Sequence, residues 1–94
     1  MDLDAYNYSL AKEVLSLNSL FAYAHLPEHL QVRSKPFGEL AQHLIDTVPL
    51  NMELVASLRS LVIAKDAAVR AFVVKHPDGI NDFLEKKLGP GYHT

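Results

Sequence analysis

The sequence predicts an all-α protein, and three observations lead to this fold class. Apolar residues recur at three- and four-residue steps along most of the 94-residue chain, which is the spacing of one face of an α-helix. Most prolines and glycines fall between these periodic segments, where helices end. The one stretch with strand character, residues 72–74, continues the helical pattern. We expect a single domain over residues 1–94, with a central antiparallel two-helix hairpin at residues 27–76 and shorter helices at either end.

The first helix is predicted over residues 5–20. Its apolar face is formed by Leu10, Val14, Leu17 and Phe21, which follow the helical spacing. Three further residues are expected to widen this face: Ala11, Leu15 and Leu20.

Two prolines shape the segment that follows. Pro27 suits the first turn of a helix, because an N–H group at that place has no partner within the helix. Pro36 either kinks this helix or starts the next one, with Ser34 as its N-cap. The helix then continues to Pro49, which ends it because the residue before a proline is disfavoured in helical geometry. Its apolar face consists of Phe37, Leu40, Ala41, Leu44, Ile45 and Val48.

The longest helix is predicted from Met52 to Lys75, with Asn51 as its N-cap and residues 77–79 closing it. Large apolar residues share one side of it: Leu54, Val55, Leu58, Leu61, Val62, Val69, Phe72 and Val73. Small residues share the opposite side: Ala56, Ser57, Ser60, Ala64, Ala67, Ala68 and Ala71. A short final helix is predicted over residues 80–88.

The small side of the longest helix allows two interpretations. Alanine and serine let a second helix approach closely, which favours a contact with another chain. The alternative is that these residues face water as good helix formers. An apolar content of 49% in so short a chain also favours self-association.

The charged residues of this helix raise a further question. Lys65 projects from the large apolar side, where it either extends past that side to solvent or meets a carboxylate or a phosphate. Asp66 and Arg70 are four residues apart, which predicts an ordinary surface ion pair.

Composition narrows the possible functions. A net charge of −2 argues against a general binder of DNA or RNA polymers. The absence of cysteine removes disulfides, thiolate metal sites and cysteine nucleophiles. No apolar run approaches the roughly 20 residues that span a bilayer, and no signal-peptide pattern is present. We expect a cytosolic protein with no membrane association.

Residues 21–37, FAYAHLPEHLQVRSKPF, concentrate the side chains that could carry chemistry. His25 and His29 are spaced like zinc ligands on a helix, but Pro27 lies between them and disfavours a metal site. No glycine-rich phosphate loop, paired carboxylates or catalytic triad order is evident. We therefore expect neither an enzyme nor a cofactor.

The remaining interpretation of this stretch is an anion pocket. Phe21 and Tyr23 could stack on a base. His25 and Gln31 could form hydrogen bonds, and Arg33 and Lys35 could bind phosphate. Each residue also has a structural alternative. Tyr23 and His25 could pack against neighbours, Gln31 could satisfy a backbone group at the bend, and Arg33 and Lys35 could be solvated charges.

Three segments in order carry a resemblance: Y-x-HLPEHLQ, FGELAQHLIDTVP and E-x-x-x-SLRSLVIAKDAAVRA. Over residues 21–72 the chain resembles a family of small phage proteins with a helical-hairpin domain. These are anti-defence sponges that counter the bacterial CBASS and Thoeris systems by binding cyclic nucleotide signals. The resemblance implies a homo-oligomer, commonly a hexamer, in the cytoplasm of the infected bacterium. It would hold cyclic dinucleotides such as cGAMP, or cyclic trinucleotides, between protomers without cleaving them.

The resemblance also implies residue roles. The base-stacking aromatic of the family falls on Tyr23. Its phosphate-binding lysine falls near Gly38, which has no side chain for the task, so Lys35 or Arg33 would substitute from the previous turn. For a second anion pocket the candidates are Lys65 and Arg70, with Arg59 as a weaker one. Pro27 and Pro36 would shape the bend at the pocket rim.

A different class of function stays open from the sequence. The chain could be a small helical protein–protein interaction module that acts on a host protein through its apolar face. Such a module would form a heteromeric complex and would have no affinity for nucleotides.

Overall fold

The computed structural model describes residues 2–73 and 79–89, and within these ranges the chain forms four α-helices and no strand. The helices are α1 at Leu3–Ser19, α2 at Glu28–Thr47, α3 at Met52–Val73 and α4 at Ile80–Leu88. The predicted all-α class is confirmed. The predicted end of the longest helix at Lys75, with the Pro77-Asp78 turn, lies outside the described residues.

Side-chain caps explain where α1 and α3 begin. Asp2 Oδ1 accepts two first-turn N–H groups at 3.0 and 3.3 Å, so α1 starts earlier than the predicted residue 5. Asn51 Oδ1 accepts the N–H groups of Glu53 at 2.9 Å and Leu54 at 3.1 Å. These bonds satisfy N–H groups that have no partner within the helix, and they confirm Asn51 as the N-cap.

α2 is one continuous helix, although Pro36 lies inside it. The proline removes the hydrogen bond that residue 36 would donate to the Val32 carbonyl, yet the helix continues beyond it. Ser34 is a buried residue in mid-helix, so the alternative in which it caps a new helix is wrong. Val48 is extended, at φ −94° and ψ 136°, as expected for the residue that precedes Pro49.

The core forms where α1 and α2 pack against the first half of α3. Its buried apolar residues are Leu10, Val14, Phe21, Ala41, Leu54, Val55 and Leu58. All seven were predicted to lie on the inner faces of their helices. Leu15, Leu20 and Leu40 were assigned to the same faces, but they are exposed because no neighbouring helix covers them.

The second half of α3 and the whole of α4 are more open. Phe72 and Val73 are exposed, although they continue the large apolar side of α3. Most of the small side is exposed as well, and only Ala68 is half-buried. Within the described ranges α4 contains no buried residue and does not pack against the other three helices. No helix in these ranges is both long and apolar enough to cross a membrane.

Candidate functional site

The connection between α1 and α2 positions half of the candidate site. The Leu26 N–H donates to the Tyr23 carbonyl at 3.0 Å and closes a turn. The Gln31 side-chain amide donates to the carbonyls of Leu26 at 2.8 Å and Ala24 at 3.3 Å. Gln31 therefore satisfies backbone groups at the bend, as its structural alternative predicted. Pro27, at φ −54°, directly precedes α2 and fixes the direction in which the chain leaves the turn.

This connection meets the second half of α3 at a cleft of about 230 Å³, which we call the α3 cleft. The connection contributes Leu20, Ala22, His25 and Leu26, and α3 contributes Lys65, Asp66, Val69 and Arg70. The α3 residues return to one side at steps of one helical turn. The cleft thus combines an apolar wall with two permanent cations, one imidazole and one carboxylate.

Lys65 reaches the cleft from the apolar side of α3. Its side chain is only 14% exposed, and its Nζ lies 2.7 Å from Asp66 Oδ1. The same Nζ lies 6.0 Å from the centre of the Phe21 ring, at the outer limit of a cation–π contact. Of the alternatives that the sequence left open for this lysine, the structure shows a carboxylate partner. The predicted surface ion pair between Asp66 and Arg70 does not form, because Asp66 bonds to Lys65 instead.

Arg70 and His25 line the cleft from different segments. Arg70 lies in the last described turn of α3. Both side chains are exposed at the cleft, and both remain accessible to a ligand. An anion that entered here could accept hydrogen bonds from Arg70 and Lys65 together.

Tyr23 lies in a separate cleft of about 300 Å³, the Tyr23 cleft. The lining residues are Asn18, Phe21, Ala22, Tyr23, Gly38, Glu39 and Gln42. A Cβ atom on Gly38 would lie 3.7 Å from the Tyr23 ring and 3.4 Å from the Phe21 carbonyl oxygen. Glycine thus lets the connection lie close against α2. No lysine or arginine is among these lining residues, so within the described chain this cleft offers stacking without a phosphate ligand.

Arg33 and Lys35 line neither cleft and have protein neighbours instead. The Arg33 guanidinium lies 4.4 Å from the centre of the Phe72 ring, a distance typical of cation–π stacking. Lys35 Nζ lies 3.8 Å from a Glu39 carboxylate oxygen. Because Glu39 borders the Tyr23 cleft, Lys35 is near its rim. Arg33 is held against the exposed end of α3.

Two other polar candidates, Arg59 and His29, lie outside both clefts. Arg59 pairs with Glu13 of α1. His25 and His29 are exposed on either side of Pro27. Among the residues that the structure describes, no three histidine or acidic side chains come close enough together to hold a metal ion.

The structure combines residues that the sequence assigned to different sites. His25 was grouped with the bend, whereas Lys65 and Arg70 were assigned to a second anion pocket. The folded chain places all three in the α3 cleft. Asp66 was missed as a site residue, although it precedes Arg70 by one helical turn and this spacing could have indicated it. The apolar wall was also missed, because Leu20, Leu26 and Val69 resemble ordinary core residues in sequence.

Of the residues that line the α3 cleft, His25 and Leu26 belong to the stretch HLPEHLQ and the four α3 residues belong to AKDAAVRA, two of the stretches on which the resemblance was based. No protein-family profile matches the chain, and neither a curated protein nor a solved structure matches it.

Proposed function

We propose that this protein binds and sequesters cyclic oligonucleotide immune signals without cleaving them, as a phage anti-defence protein in the cytoplasm of the infected bacterium. The observation that carries the proposal is the α3 cleft, where Lys65, Arg70 and His25 converge beside an apolar wall. Guanidinium and ammonium groups bind phosphate. The apolar wall suits the faces of nucleobases, which need contact area more than hydrogen bonds.

The size of the cleft supports a shared site. At about 230 Å³ on one chain, it is smaller than the roughly 300–1,000 Å³ of ordinary ligand pockets. A neighbouring protomer would complete it. We propose that an antiparallel hairpin of α2 and α3 is the unit of a homo-oligomer, by resemblance a hexamer. The exposed small side of α3 supports close approach of a second helix, and shared pockets would bring the cations of several chains to one ligand.

The Tyr23 cleft is the proposed place for a second ligand contact. Tyr23 is half-buried beside Gly38 and lines the cleft, where its ring could stack on a base. Lys35 at the rim could supply the phosphate contact if it left Glu39, because exposed ion pairs contribute little to stability. The two clefts would then serve cyclic dinucleotides and cyclic trinucleotides separately.

Calorimetry with a panel of cyclic di- and trinucleotides tests the proposal, on protein whose mass in solution is known from light scattering. We expect sub-micromolar binding of at least one ligand, at less than one ligand per chain, and release of intact ligand after heat denaturation. Arg70→Gln should weaken binding about 10- to 100-fold, because it removes charge-assisted hydrogen bonds to phosphate.

Arg59→Gln is the matched control, since Arg59 is an arginine on the same helix that pairs with Glu13 outside the cleft. It should bind like the wild type. Failure of the folded protein to bind any ligand of the panel would overturn the proposal. Equal losses in the two variants would show that the α3 cleft is not the site.

One observation favours the second candidate function, an interaction module that acts on a host protein. α4 exposes apolar residues, namely Ile80, Phe83 and Leu88, and packs on none of the other described helices. A short amphipathic helix of this kind gains stability from a partner surface. This alternative predicts a heteromeric complex and no nucleotide binding, so the same calorimetry distinguishes the two functions.

A further inference from the structure

Asp66 is a carboxylate in a cleft whose other permanent charges are cations. Its Oδ1 lies 2.7 Å from Lys65 Nζ, within hydrogen-bonding distance. Consecutive residues of an α-helix point about 100° apart and do not normally face each other. Both side chains line the cleft, and they must turn toward each other to make this contact. The ammonium that a phosphate would seek is already neutralised by the neighbouring carboxylate.

The two partners differ in their freedom to leave the contact. The Lys65 side chain is 14% exposed and the Asp66 side chain is 47% exposed. The lysine side chain is mostly buried on the apolar side of α3, and its ammonium lies near the Phe21 ring. Asp66 can rotate into water with little loss of hydration, whereas Lys65 cannot leave without uncovering apolar surface. Displacement of Asp66 by an incoming anion is thus the easier of the two rearrangements.

We propose that Asp66 is an internal competitor for the ligand phosphate and thereby sets the selectivity of the α3 cleft. This inference rests on the proposed function. In the free protein Asp66 bonds to the Lys65 ammonium, and a ligand phosphate must displace it before both cations are available. A simple phosphate has only this ionic contact to offer. A cyclic oligonucleotide also covers the apolar wall of Leu20, Leu26 and Val69, and this extra contact compensates for the displacement.

The test compares Asp66→Asn with the wild type by calorimetry, with cyclic GMP–AMP, cyclic triadenylate and inorganic pyrophosphate as probes. Removing one negative charge next to Lys65 should tighten binding of the preferred cyclic nucleotide about five- to tenfold at low salt, and less at high salt. Pyrophosphate should gain measurable binding, so the preference for the cyclic nucleotide over pyrophosphate should fall.

Two further variants separate this role from a general charge effect. Asp4→Asn makes the same chemical change in the first turn of α1, where Asp4 is exposed and lines neither cleft. It should leave every affinity unchanged. In a Lys65→Gln background the gain from Asp66→Asn should largely disappear, because neighbouring residues that act through one contact are not additive.

The outcomes distinguish the inference from the proposed function. If the wild type binds a cyclic nucleotide and Asp66→Asn binds it no more tightly, the inference is overturned and the proposed function stands. If neither protein binds any cyclic probe while both are folded by circular dichroism, both are overturned. A gain that persists undiminished in the Lys65→Gln background would also overturn the competitor role, since Asp66 would then act on the ligand without Lys65.

Discussion

The two halves of α3 carry the same apolar periodicity but have different surroundings. In the first half, Leu54, Val55 and Leu58 are at most 2% exposed, because α1 and α2 cover them. In the second half, Phe72 and Val73 are 52% and 64% exposed. Periodicity thus identifies which residues share a side of the helix. Whether that side is buried depends on how far the neighbouring helices extend along it.

The first half of α3 contributes to stability, whereas the second half carries the residues of the candidate site. The first half anchors the three-helix core, and its buried side chains fix the rotation of α3 about its axis. Because a helix is stiff, the second half inherits that rotation. Lys65, Asp66 and Arg70 are therefore presented to the cleft by residues that lie about two to four turns earlier. The exposed residues of the second half remain available for a ligand or a second chain.

The largest expected effect comes from a core truncation in the first half. Leu58→Ala should lower the free energy of unfolding by about 2–5 kcal/mol, because it removes fully buried methyl groups and leaves a cavity between three helices. Urea denaturation followed by circular dichroism measures the loss. Val73→Ala is the comparison in the second half, and it should cost less than about 1 kcal/mol. Comparable losses in the two variants would show that the second half is covered in solution by another chain.

A smaller effect is expected at the start of α3. Asn51→Ala should cost about 1 kcal/mol, because two N–H groups of the first turn lose their acceptor. One of these belongs to Leu54, whose side chain lies in the core. Asn51→Asp keeps an acceptor oxygen and should retain the stability of the wild type in the same urea titration. An unchanged midpoint for Asn51→Ala would mean that core packing alone fixes the start of this helix.

The smallest effect is expected at Gly38 of α2, which lies against the connection between α1 and α2. Gly38→Ala should raise the free energy of unfolding by about 0.5–1 kcal/mol, since alanine favours helix and its Cβ would make ordinary contacts. Its nearest neighbour, the Phe21 carbonyl oxygen, would lie at 3.4 Å.

Gly38→Leu provides the contrast for that measurement, because its longer side chain would meet the Tyr23 ring. It should be less stable than Gly38→Ala in thermal unfolding. Loss of stability in the alanine variant itself would show that the connection lies closer to α2 than the structure indicates.

Local sequence features predicted the helices well. The cap at Asn51 and the extended residue before Pro49 depend on short-range chemistry, which is present in the sequence itself. Short-range chemistry could not predict whether the helix continues through Pro36 or a new helix starts there. A proline inside a helix costs a hydrogen bond, and only the packing of residues on both sides of it, such as Ser34 and Ala41, decided that α2 continues.

The sequence identified individual residues of the candidate site but not which of them lie together. Lys65, Arg70 and His25 were identified as candidates because their chemistry suits an anion. Their convergence depends on the path of the connection, which is fixed by hydrogen bonds from Gln31 to backbone carbonyls. Arg33 and Lys35 were the more obvious phosphate ligands in sequence. The fold directs them to Phe72 and Glu39 instead.

The sequence by itself determined the all-α class, the Asn51 cap and the side of each helix that is apolar, because these follow from neighbours within one or two turns. Only the tertiary structure decided which part of α3 is covered and that His25 and Arg70 meet at one cleft. Both depend on how separate segments of the chain approach each other, and His25 and Arg70 are 45 residues apart in the chain. The pattern along one helix contains no information about this approach.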